Sequence, residues 1–379
     1  MDLTLPEGLV AVIKWLRPLL LVFFIIGSIT EKVMAAGNHI AYKFFNYGDS
    51  EKTKIFEHLF LYTTDLTVDS SLSFRYGLDG VSAPSFGTVT APSGQTVDAS
   101  KYRNSAGVSF SSRYTDTLQG VTGLDVSTKS DYSSFTLGQS LNTPILNEFF
   151  TMGLAAYYTA STITPTPTDN VLLKPPAGDL TSQQTNYLIS LEHILSNKSK
   201  IKLLLETFNI NGYLSTGYHY VTVSSGLGSP QSIENLPKSR TGEALTAVLS
   251  QGLTDKSAIH LRIRGYNDTF GITAYSGDIT YRTYIQDATI LEGVYRYYRQ
   301  NAANFWASSF ATMPTGYYSS QTALAPFSAN QLGLGVRHEF IFDQRSINFS
   351  GILSAHFDLY LRNDGTSFNT FSAGIESDF

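Results

Sequence analysis

The chain has 379 residues, no cysteine, a formal net charge of −5, and only 15% charged residues against 13% aromatic. The missing cysteine excludes a disulfide framework and thiolate metal sites, and the acidic balance argues against a nucleic-acid partner. A mean hydropathy of −0.05 excludes a helical membrane protein, while 23 Tyr and 24 Phe suit a sheet that faces lipid and sets rings at both interfaces.

At the N-terminus, Lys14 and Arg17 precede an apolar run from Leu19 to Ile29, and small residues follow at Ala35 and Ala36. That run is too short to cross ~30 Å of hydrocarbon as a helix. It fits a secretory signal cleaved after Ala35. Residues 1–35 are therefore expected to be removed and 36–379 to form the folded protein.

Past the signal, segments of about ten alternating residues recur between polar turns. Val68, Leu72, Phe74, Tyr76 and Leu78 alternate with Asp69, Ser71, Ser73, Arg75 and Asp79. Ile259, Leu261 and Ile263 alternate with His260, Arg262 and Arg264. A period of two sends neighbours to opposite faces of a strand. The clearest case closes the chain. From Ile347 to Arg362 one row reads Ile347, Phe349, Gly351, Leu353, Ala355, Phe357, Leu359, Leu361, and the other carries His356, Asp358, Tyr360 and Arg362. The turn Asn363-Asp364-Gly365-Thr366 follows, and a last run ends on Phe379.

With Phe379 taken as periplasmic, the turns assign themselves in sequence. Short periplasmic turns are expected at 64–65, 116–119, 142–147, 197–199, 254–257, 286–289 and 343–346. Long outer loops are expected at 80–104, 162–184, 215–239 and 302–330, rich in Pro, Gly, Ser and Thr. Short outer turns fall at 48–52, near 130, at 268–271 and at 363–366. The pattern predicts sixteen strands, an even number as single-chain bacterial barrels require, with the weakest alternation at 105–140. It leaves no plug domain, so only loops such as 302–330, with Phe305, Trp306, Phe310 and Phe327, are available to fold inward or to pack on a neighbour.

The polar rows carry charge. Arg75, Lys202, Glu206, Arg262, Arg264, Asp278, Arg282, Glu292, Arg296, Arg337, Glu339, His356, Asp358 and Arg362 are expected at the lumen or its rims, because Arg or Lys in hydrocarbon costs about 2–4 kcal/mol at the midplane. Two readings fit them. Opposed charges on neighbouring strands pair and hold the wall together, or the arginines Arg262, Arg264, Arg282 and Arg296 form an anion-attracting surface. Tyr295, Tyr297 and Tyr298 read as an aromatic girdle or a packed inner wall, with a sugar slide as the alternative. His356 and Asp358, two apart on one face, are the best local acid–base pair, and a solvated structural pair is the simpler reading. Gly226-Leu227-Gly228-Ser229 lacks the Lys-Ser/Thr and the helix of a phosphate loop. No metal-ligand spacing and no cofactor motif occur.

Several signatures along the chain are similar to those of a bacterial family defined as domain of unknown function 3570. They are Asp79 to Ser85, Ser130 to Ser134, Gly212 to Tyr218, Leu236 to Arg240 and, most fully, Tyr295-Arg296-Tyr297-Tyr298-Arg299-Gln300-Asn301-Ala302-Ala303-Asn304-Phe305. Pro84 and Gly217-Tyr218 depart from the family pattern. The resemblance implies an outer-membrane barrel and carries no catalytic residues. The signatures cluster at strand tops and loops, where a ligand or partner would be met.

The fold expected is thus all-β: a transmembrane antiparallel up-and-down β-barrel of about sixteen strands in the outer membrane of a Gram-negative bacterium. The function expected is a porin-like channel for small polar solutes, with an anion preference if the arginines are free. The alternatives are a loop-closed platform for a periplasmic or surface partner and a rim enzyme that hydrolyses lipid or peptide. The partners expected are outer-membrane lipid and lipopolysaccharide, the barrel-assembly machinery through the Phe379 strand, and a second copy of the chain.

Overall fold

The computed structural model describes residues 37–50, 54–82, 101–129, 131–145, 149–164, 178, 180–215, 219–223, 231–344 and 347–378. The expected signal over 1–35 lies outside the described residues. So do Phe379, Pro84, Ser85, Ser130, Gly217-Tyr218 and the 226–229 segment.

The strands follow one another around a single wall. In chain order they are β1 (Asn38–Asp49), β2 (Lys54–Thr67), β3 (Ser70–Ser82), β4 (Lys101–Arg113), β5 (Gln119–Lys129), β6 (Tyr132–Ile145), β7 (Phe150–Ile163), β8 (Leu180–Ser196) and β9 (Ser199–Gly212). Two short strands come next, β10 (Tyr220–Thr222) and β11 (Gln231–Ile233), which pair only with each other. The wall resumes with β12 (Ser239–Gly252), β13 (Ser257–Asp268), β14 (Thr273–Gln286), β15 (Thr289–Gln300), β16 (Phe327–Gln344), β17 (Ile347–Arg362) and β18 (Ser367–Asp378). Sixteen strands pair antiparallel in the order β1-β18-β17-β16-β15-β14-β13-β12-β9-β8-β7-β6-β5-β4-β3-β2 and close on themselves. The seam is the pairing of β1 with β18, from His39↔Asp378 to Asp49↔Phe368. Closure leaves no free sheet edge, which a bilayer requires because hydrocarbon offers no partner for a bare N–H or C=O.

The period-two rows explain the wall. Leu245, Ile263, Leu332 and Leu334 stand 59%, 66%, 56% and 71% exposed, values that a water-soluble protein would not tolerate in one continuous band. They belong to the row that also holds Phe74, Tyr76, Tyr275, Tyr295, Phe357 and Phe371, all exposed. The opposite row holds the charges. Small outward residues are tolerated because lipid fills the space beside them.

One end of the barrel has short turns, such as Asn197-Lys198 between β8 and β9 and Asp287-Ala288 between β14 and β15. The other end has alternating long and short connections. Two of its tight turns depend on glycine: Gly271 and Gly365 have φ of 84° and 88°, a region that L side chains avoid. Any Cβ on Gly271 would also stand 2.3 Å from the Asn304 amide oxygen.

The first turn differs from the expectation. β2 continues to Thr67, with a bulge between Asp65 and Thr67, so the reversal falls at Val68-Asp69 rather than 64–65. Val68 is 98% exposed in that turn and is not a strand residue. Asp65 had the look of a turn former, but pairing with Ser71 of β3 outweighs that local preference. Similarly, Phe327 opens β16 instead of belonging to the preceding loop. The 105–140 region, where alternation is weakest, resolves into β4, β5 and β6 in regular register.

Candidate functional site: a charged wall beneath folded loops

On the face opposite the exposed apolar row, the charges meet across neighbouring strands. Arg262 of β13 binds Asp278 of β14, and Arg296 of β15 approaches the same carboxylate at 3.3 Å. Arg264 binds Glu206 and donates to the Thr246 hydroxyl at 3.2 Å. Arg282 binds Glu292, and Arg75 binds Asp125. Near the turn end Arg337 lies 3.9 Å from Glu339. All four arginines expected to attract anions therefore already face a carboxylate, the arrangement of the pairing reading. Lys202 is different: it makes no ion pair among the described residues, and Glu192, opposite it in register, is taken by Lys200 at 3.2 Å.

A glycine between the partners makes the Arg75–Asp125 contact possible. Arg75, Gly107 and Asp125 lie in one row across β3, β4 and β5, and a Cβ on Gly107 would collide with the Asp125 carboxylate. The same device recurs on β16. Gly335 separates Glu292 from His356, and Gly333 lies opposite Asp358. His356 Nε2 stands 3.0 Å from Asp358 Oδ1, and its Nδ1 stands 3.7 Å from Glu292. Gln331 and Thr370 donate to the two Asp358 oxygens at 2.8 and 3.1 Å. Both ring nitrogens of His356 thus face carboxylates, which leaves neither directed at a hydroxyl for nucleophile activation. Among the described residues no group of three His, Cys, Asp or Glu is arranged to hold a metal.

Several charged residues of this face were not singled out from the sequence. Arg103 binds Asp79, Lys200 binds Glu192, and Arg240 donates to Asp268 at 2.5 Å while stacking 4.6 Å over Phe270. Asp79 and Arg240 both lie inside the family signatures, a signal that pointed to them. Asp125 carries none, since its strand alternates weakly. Of the tyrosine cluster, Tyr295 shares the exposed face with Leu332, whereas Tyr298 turns the other way against Phe327 at 5.3 Å.

The described parts of one long connection, 213–215, 219–223 and 231–238, fold onto the other, 301–326. Asn235 and Tyr318 exchange backbone hydrogen bonds of 3.0 and 2.9 Å, and Phe310 N donates to Thr222 O at 3.1 Å. The centre of the contact is the Glu234 carboxylate, 5% exposed. It accepts from Ser215 Oγ at 2.6 Å, Ser319 Oγ at 2.7 Å and Gln321 Nε2 at 2.6 and 2.8 Å. A buried carboxylate is tolerable only when its lone pairs are filled in this way. Beside it, Phe270, Ile272, Ala303 and Leu324 form an apolar core, with Leu236 and Trp306 packed against it. Burial, the larger influence, holds the His219 imidazole below its ordinary value of 6.5, against the opposing pull of Glu234.

These loops lie across the mouth. His219 and Tyr220, which follow β9, share a chamber with Tyr47 of β1. β9 and β1 stand eight steps apart in a ring of sixteen, on opposite walls. The chamber encloses about 930 Å³ between Ser320, Gln321 and Thr322 of the second loop and the wall of β15 to β18. Arg362 Nη2 donates to Thr322 O at 3.1 Å, and Gln300 Nε2 donates to Ala323 O and Ala325 O at 3.0 and 2.7 Å, which ties that loop to the wall.

A closed sheet of sixteen strands with an apolar exterior, a charged opposite face and loops folded over one mouth defines the outer-membrane β-barrel class. The chain belongs to the family described as protein of unknown function (DUF3570), whose model matches residues 99–367. No curated protein matches it by sequence. Among solved structures it is similar to OccK1 (OpdK) of Pseudomonas aeruginosa, at 8% identity over 91% of this chain and 99% of that one, with a TM-score of 0.45. It is also similar to OccD3 (OpdP) of the same organism, at 9% identity, 91% of each chain and a TM-score of 0.46. The siderophore receptor PirA of Pseudomonas aeruginosa aligns at 9% identity over 91% of this chain and 80% of its own, with a TM-score of 0.41.

Proposed function

We propose that the protein is an outer-membrane pore for small polar solutes whose passage is narrowed by its own loops. The observation that carries this reading is the chamber of about 930 Å³ between the wall and the two loops folded over it. A lumen sealed for purely structural reasons would be filled with side chains. The paired arginines lend little support to a strong anion preference, since a solute anion would have to compete with Glu206, Asp278 and Glu292. Purified protein in planar bilayers should give discrete conductance steps. Complete electrical silence of a folded preparation overturns the reading.

A second reading has one specific observation behind it. The Glu234 cluster fastens the two loops to each other, as a loop-closed platform for a periplasmic or surface partner would need. Glu234→Ala separates the two: a pore conducts before the change and more after it, whereas a loop-closed barrel is silent until its loops are loosened.

A further inference from the structure

The chamber has a chemistry of its own, and the inference drawn from it rests on the pore reading. Three aromatic rings run along the wall of β1, β18 and β17. Tyr47 and Phe368 lie 5.0 Å apart, and Phe368 and Tyr360 stack at 4.2 Å with planes 18° apart. All three line the chamber. Around them stand hydrogen-bonding groups of both kinds: Thr370, Gln331 and Gln321, with Asp49 and Asp358 as acceptors.

The arginines beside the rings are already paired. Arg296 approaches Asp278 at 3.3 Å, and Arg362 binds Asp364 at 2.6 Å while its guanidinium covers Phe327 at 3.6 Å. Asp358 holds His356, Gln331 and Thr370. An anionic solute would enter a site whose arginines already face carboxylates and would lose hydration without a free counter-charge to replace it. A purely apolar solute would leave the surrounding polar groups without water or partner. What fits is a molecule with flat C–H faces for the rings and a rim of hydroxyls that both donate and accept.

We propose that the chamber is a binding site for a neutral carbohydrate, of a size from a monosaccharide to a short oligosaccharide, on its way through the pore. The volume lies within the range of about 300–1,000 Å³ usual for small-ligand sites. The rings supply the stacking surface, and Thr370, Gln331 and the carboxylates read the hydroxyls.

The test uses the full mature protein, folded in detergent and checked by heat-modifiable migration on gels. Maltotriose and galactose are titrated against ion current in planar bilayers and, separately, by isothermal calorimetry. Galacturonate, glucosamine and benzoate serve as anionic, cationic and aromatic controls. The expected result is current block and binding by the neutral sugars, weakened about five- to tenfold by Tyr360→Ala or Phe368→Ala, as the loss of one aromatic contact implies. Tyr295→Ala, on the exposed face, should bind as the parent does. Should an alanine variant fail to fold, Thr370→Val reads the hydroxyl contact without disturbing the rings. Conductance without any sugar block or calorimetric heat overturns the carbohydrate assignment and leaves the pore standing. Preferred binding of galacturonate, glucosamine or benzoate overturns it as well. Electrical silence together with sugar binding overturns the pore and upholds the site.

Discussion

The His356 ring lies across the bare backbone of Gly335, its Nδ1 3.7 Å from the Glu292 carboxylate on the strand beyond. A side chain at 335 would fill that gap: an added Cβ would stand 2.6 Å from His356 Nδ1. Gly335→Val should therefore break the contact and the Asp358 network that continues from it. The expected cost is about 1–3 kcal/mol, as for other overpacked sites. The shift of the urea midpoint, followed by gel migration of the folded barrel, checks it.

Asp278 lies between two arginines, Arg262 and Arg296. Asp278→Asn leaves both without a carboxylate and makes the local field more positive. Reversal potentials in a salt gradient should move toward anion selectivity. Arg262→Gln should move them the other way. An unchanged potential in both variants would place this row off the conduction path.

Glu234 connects residues 85 apart in sequence when it accepts from Ser319. Glu234→Ala leaves buried donors of Ser215, Ser319 and Gln321 unfilled, at about 1–3 kcal/mol each. The loops should become protease-sensitive at 213–238 and 301–326 while the strands remain protected. Glu234→Gln, which keeps an acceptor, should be intermediate.

The loop assembly should also respond to pH. Burial depresses the folded-state value of His219 below 6.5, with Glu234 the charged group opposing that shift. Released loops then take up a proton that the packed loops resist. Above about pH 6.5 this residue costs the assembly nothing, and stability falls as the pH drops below that value. Proteolysis of the loops should accelerate in mild acid, and His219→Phe should flatten that dependence.

Leu334, 71% exposed in the apolar row, reports on the lipid face. Leu334→Arg should lower folding stability in bilayers by about 2–4 kcal/mol. A substitution across the wall, Lys202→Gln, should cost little, since Lys202 has no ionic partner to lose among the described residues. Urea titrations in lipid vesicles compare the two.

Much of this was legible from residue order. The alternating rows over 259–264 and 347–362 fixed which side chains share a face, and the spacing of turns gave sixteen strands with long and short outer connections. The first turn was misplaced because Asp65 favours turns locally, while its pairing with Ser71 lies in the sheet. The partners of the charges were not legible. Arg264 and Glu206 are 58 residues apart, and Arg75 and Asp125 are 50 apart.

The sequence by itself determined the wall: a period of two specifies faces, and polar turns specify reversals, both through short-range geometry. Only the tertiary structure decided the lumen. Which charged side chains meet depends on strand register and, at Gly107 and Gly335, on a glycine in the strand between. Whether the mouth is covered depends on Glu234 finding a hydroxyl and an amide, of Ser319 and Gln321, from a loop rooted elsewhere on the ring. Such contacts join residues far apart in sequence, and closure of the barrel is what brings them together.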